Sequence, residues 1–97
     1  MRSKCCYICT MAIYIDRPKA VHFRGKDRVF VHMVADSVEE LLAFADSLGF
    51  PRRAFENKPG KPHYDVFDEH IETVKAAGAI SIGNKALVEL LHARYGR

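Results

Sequence analysis

The sequence predicts a small α+β domain: a three- or four-stranded mixed or parallel sheet packed by about three helices, in the order β-β-α-(loop)-α-β-α. Three observations carry this. Runs of β-formers occur at residues 12–15, 29–34 and 79–82. Three other stretches space apolar residues at helical intervals between capping residues. Helices separate the second predicted strand from the third, an order that suits a mixed or parallel sheet. At 97 residues the chain has room for one core.

Residues 12–15 form the first strand and end in Asp16, and Pro18 blocks its continuation as a central strand. Residues 17–28 follow as a basic connection with Gly25 as a turn residue. Residues 29–34 are apolar almost throughout, the pattern of a strand buried on both faces. Parity puts Phe30, His32 and Val34 on one face and Val29, Val31 and Met33 on the other. Ser37 and Glu40 then form a capping box, and Val38, Leu41, Leu42, Ala45 and Leu48 recur at helical spacing up to the Gly49 cap. Residues 51–62 are expected to be a loop, with a short strand around Ala54 and Phe55. A second helix starts near Asp65 or Asp68, with Phe67, Ile71 and Val74 as its buried stripe and Gly78 as its stop. After the last strand, Asn84 is expected to cap a final helix that ends at Gly96.

All three cysteines, Cys5, Cys6 and Cys9, lie in the first nine residues, and a disulfide framework would spread them through the body. A reducing, cytoplasmic setting follows. A Cys6-x-x-Cys9 pair alone lacks the second ligand pair that structural zinc asks for. Residues 1–10 are expected to be a mobile tail ahead of one domain at residues 11–97. No apolar run reaches the roughly 18 residues of a membrane span.

Charge is blocked. The total is +3, yet residues 17–28 sum to +4 and residues 51–62 to +3, while residues 36–46 and 65–72 each sum to −4. Acidic first turns complement helix dipoles, and basic side chains solvate loops. If both basic loops lay at one end of the sheet, they could instead cradle an anion, with Arg52 and Arg53 as planar clamps.

Two polar groupings stand out. His32 lies inside the most apolar strand and Asp36 follows at its end; His63, Tyr64 and Asp65 close the Pro/Gly loop. A buried imidazole needs partners for both nitrogens, most strongly a carboxylate. The candidate acid–base centre is therefore His32, Asp36, His63 and Asp65. Arg52, Arg53, Tyr64 and Asp16 are the candidate ligand contacts. These residue types suit zinc, manganese or iron, but with no tight ligand motif no metal site is predicted. There is no P-loop, G-x-G-x-x-G or G-x-S-x-G, so neither a nucleotide cofactor nor a serine nucleophile is indicated, and no other cofactor is assigned.

The strings Val31-His32-Met33-Val34-Ala35-Asp36, Leu48-Gly49-Phe50-Pro51-Arg52-Arg53, His63-Tyr64-Asp65 and Ala76-Ala77-Gly78-Ala79, in that order, resemble a family of small bacterial and phage domains of unknown function. The resemblance spans residues 12–80. It implies that the polar residues named above belong to the family pattern, and it brings no activity. The cysteine-bearing tail and the longer loop at residues 57–62 depart from that pattern, and the latter bears on how far Lys58 and Lys61 reach.

The leading functional expectation is a domain that binds or acts on a small anionic, phosphate-containing ligand. A nucleic-acid module would use the two basic loops, with Phe23 and Phe55 for stacking. A non-catalytic interaction or assembly protein, including a homodimer through an exposed sheet edge, is the third.

Overall fold

A computed structural model describes residues 12–96, so the expected tail and its three cysteines lie outside the described residues. The elements are β1 (Ile13–Ile15), β2 (Lys19–Phe23), β3 (Lys26–Ala35), α1 (Val38–Ser47), a 3-10 turn (Arg52–Ala54), β4 (Phe55–Lys58), β5 (Lys61–Phe67), α2 (Glu69–Ala76), β6 (Ile80–Ser81) and α3 (Asn84–Tyr95). Among the described residues the fold is α+β with three helices, as expected, but the sheet has six strands rather than three or four. Its order is β4-β5-β3-β1-β6, with β2 pairing β3 off that path. Pairing is antiparallel except for β1 with β6, which makes the sheet mixed.

β3 organises the sheet. Along one edge it pairs first with β2 and then with β1, and along the other with β5. Its faces alternate as the parity argument requires. Val31, Met33 and Ala35 join Ile13, Ile15, Tyr64 and Val66 beneath α1 and α2, which contribute Leu41, Phe44, Ala45, Ile71 and Val74. Full burial of a side chain such as Leu41, at 0% exposure, contributes about 2 kcal/mol. On the opposite face Val34 packs with Leu87 and Leu91 of α3. Among the described residues α3 is the helix that covers this second face near Val34, and Phe30, His32, His63 and Asp65 line a hollow beside it.

The extra strands come from segments expected to be irregular. The basic connection is a hairpin whose two-residue loop, Arg24-Gly25, has positive φ at both positions (54° and 76°), the geometry that twists flanking strands correctly. Arginine is uncommon in that position, so the turn signal is weak. Residues 55–67 form a second hairpin around Pro59-Gly60, with Gly60 at φ 76°. Proline followed by glycine here makes a tight turn rather than keeping the segment irregular. Asp65 therefore lies in a strand, and the second helix starts at Glu69. Asp68, at φ 51°, turns the chain from strand to helix; its carboxylate accepts from Arg28 Nε at 2.7 Å and Val29 N at 3.1 Å.

The Ser37 cap forms: its hydroxyl accepts from Glu40 N at 3.2 Å. The expected Asn84 cap does not. Asn84 is already helical, and its side-chain oxygen accepts from Arg17 N and Lys19 Nζ, both at 3.2 Å. The 3-10 turn and its Arg52 and Arg53 precede β4, far along the chain from that contact.

Candidate functional site

The site is built on three neighbouring strands. β3 supplies His32, β5 supplies His63 and Asp65, and the residue after β1 supplies Asp16. Register explains the meeting: His32 stands directly opposite Asp65, and His63 shares the Asp65 face two residues earlier. The two imidazole centroids are 5.2 Å apart, edge to face.

Asp16 is the anchor. Only 2% exposed, it accepts from His32 N and His32 Nδ1, both at 2.8 Å, and from Lys19 Nζ at 2.7 Å. Burial works to raise its carboxyl, but the Lys19 ammonium and the His32 ring and amide outweigh that and hold it below the ordinary carboxylate value. His63, also buried, sets its Nδ1 against the Lys61 carbonyl at 2.8 Å. That leaves both Nε2 atoms turned to Asp65: His63 Nε2 lies 3.4 Å and His32 Nε2 3.9 Å from Asp65 Oδ1. This oxygen is buried and has no hydrogen-bond partner among the described residues. One ligand atom from each of His32, His63 and Asp65 falls within 4.8 Å of the others, a spacing that could hold a metal ion.

The cluster opens into a hollow of about 450 Å³, within the size range of small-molecule sites. Lys19, Lys58 and Lys61 rim it, and Phe30, Leu87, Val88 and Leu91 supply apolar wall.

The structure thus brings together four of the eight candidates, Asp16, His32, His63 and Asp65, and leaves four outside the hollow. Asp36 accepts from Arg94 Nε at 3.0 Å. Arg52 grips Asp46 with two bonds of 3.0 and 2.7 Å, which together with their charges keep the Asp46 carboxyl below its usual range. Arg53 is exposed on the 3-10 turn. Tyr64 points through the sheet into the α1/α2 core beside Phe50 and Phe55, where burial pushes its phenol up.

The tips of the two basic hairpins do not share one end of the sheet, as an anion cradle would need. Arg24-Gly25 precedes the start of β3, whereas Pro59-Gly60 lies toward its finish, about 30 Å along a ten-residue strand. What converges on the hollow is the base of the first hairpin, at Lys19, and the tip of the second, at Lys58 and Lys61. Sequence reasoning missed Lys19, Asn84 and the α3 wall as contributors. A weak signal was available for Lys19, three residues after a carboxylate at a strand end.

No helix among the described residues is long and apolar enough to cross a membrane. The sequence profile of a family described as protein of unknown function, DUF4031, matches residues 13–94. No curated protein and no solved structure matches the chain.

Proposed function

The chain belongs to the DUF4031 family of proteins of unknown function, and from that premise we propose that it binds a small, phosphate-bearing anion in the hollow beside α3. The two imidazoles face the ligand as proton acceptors for chemistry on it. One observation carries the reading: Lys58 and Lys61 stand directly opposite each other at the rim. Like charges directly across a ladder destabilise a hairpin, and neither lysine pairs with a carboxylate among the described residues. An anion seated between them removes that cost. The reading differs from the sequence expectation in its cations, since lysines take the place of Arg52 and Arg53.

The test is titration of inorganic phosphate into the full chain, followed by the amide resonances of residues 32, 58, 61, 63 and 65. Saturable shifts at these positions are expected, with affinity at least about tenfold weaker in Lys58→Glu. Equal affinity in that variant, or shifts scattered over the surface, would overturn the reading.

A further inference from the structure

We propose that His32 Nε2, His63 Nε2 and Asp65 Oδ1 hold a divalent transition-metal ion. Each imidazole already holds an oxygen acceptor at its Nδ1. The Lys61 carbonyl can only accept, so Nδ1 of a neutral His63 carries the proton and its Nε2 presents a lone pair. The Asp16 carboxylate imposes the same tautomer on His32. Both lone pairs then meet Asp65 Oδ1, which is buried and receives no donor from the described residues. Three electron-rich atoms converge with no proton between them, an arrangement that costs free energy until a cation enters.

Spacing agrees. Nitrogen and oxygen ligands about 2.0–2.1 Å from a tetrahedral zinc ion stand about 3.3 Å apart. The His63–Asp65 pair is at 3.4 Å, the His32–Asp65 pair at 3.9 Å and the His32–His63 pair within 4.8 Å, so the first needs almost no movement and His32 must swing inward by about 0.6 Å or more to complete the set. Each ligand is also held from behind, as metal-binding histidines usually are: Asp16 orients one ring and the Lys61 carbonyl the other. Asp16 is thus a positioning residue. Two imidazoles and a carboxylate without thiolate suit zinc, iron(II) or manganese, and three protein ligands leave a coordination position facing the hollow. The inference shares the hollow with the anion reading, which rests on the Lys58–Lys61 pair, but it makes the two Nε2 atoms ion ligands, so with the ion bound they no longer serve that reading as proton acceptors.

The experiment uses the full chain with Cys5, Cys6 and Cys9 changed to serine, so that thiolates cannot compete. Co²⁺ alone is titrated and followed by its visible absorption, then displaced with Zn²⁺. One Co²⁺ per chain is expected, with affinity lowered more than about 100-fold in Asp65→Asn and in His63→Ala. A thermal melt of ion-free Asp65→Asn establishes that this variant is folded. No binding tighter than millimolar, or binding undiminished in folded Asp65→Asn, would overturn the proposal. Inorganic phosphate is titrated separately with and without the ion. Failure to bind the ion-loaded chain would count against the anion reading and leave the ion in place; phosphate binding without ion uptake would do the reverse.

Discussion

His32 and Asp65 face each other directly across the β3–β5 ladder, yet the nearest ring nitrogen and carboxylate oxygen stay 3.9 Å apart and share no hydrogen bond. A buried acceptor left in that condition is a local instability that the fold tolerates. Such groups concentrate where a protein binds something.

Asp65→Asn should therefore stabilise the ion-free protein, or leave its stability unchanged, because an amide can donate to the Nε2 it faces. The expected gain is about 0.5–1 kcal/mol by urea unfolding in the presence of a chelator. A loss of more than about 1 kcal/mol would mean that Asp65 is satisfied in a way this arrangement does not contain.

Asp16 should behave oppositely. It receives two donors from His32 and one from Lys19 while almost fully buried. Asp16→Ala leaves those donors unpaired and should cost about 3 kcal/mol, measured by the same unfolding experiment. A cost below about 1 kcal/mol would remove Asp16 as the group that fixes the His32 ring.

Lys58→Glu converts a like-charge cross-strand pair into an attractive one. Unfolding free energy should rise by about 0.2–1 kcal/mol at low salt, with the gain shrinking as salt screens it. A salt-independent change, or a loss, would contradict a repulsive Lys58–Lys61 pair.

The C-terminal end of α3 should set the alkaline limit of the fold. Tyr95 Oη donates to the Ala35 carbonyl at 2.6 Å, and burial, with the charges of Asp36, Glu40 and Glu39 adding, pushes the phenol up to about 12. The folded-state value is raised, so this contribution is fully present below the ordinary tyrosine value of about 10 and is lost as pH rises from there through about 12. Tyr95→Phe should cost about 1 kcal/mol at neutral pH and flatten that alkaline decline. An unchanged alkaline profile in the variant would assign the decline elsewhere.

Much of this arrangement could be read from residues alone, and the gaps have physical causes. The strand containing His32 and the face it shares with Phe30 and Val34 follow from an apolar run and a period of two. The Ser37 cap and the left-handed Gly49 follow from local hydrogen bonding and backbone freedom. β5 was hidden because Pro59, Gly60 and Pro62 look like breakers and Asp65 and Asp68 look like helix caps. The inward alternation of Tyr64 and Val66, against outward His63 and Asp65, is the competing signal, and tertiary pairing with β3 decides it. Arg52 and Arg53 attract attention by residue type, but nothing local reveals that Asp46 takes Arg52. Lys19, Lys58 and Lys61 come together through register, which depends on hairpin geometry that composition does not specify.

The central claim is that His32 and His63 aim unprotonated Nε2 atoms at one carboxylate. Long-range ¹H–¹⁵N imidazole correlation of the ion-free full chain near about pH 8.5, where ordinary imidazoles are neutral, tests it most directly. His32→Ala and His63→Ala spectra assign the two rings. Both should report the Nδ1–H tautomer, with both Nε2 signals moving together when Zn²⁺ is added. An Nε2–H tautomer at either ring, or a response to zinc at one ring alone, would contradict the account.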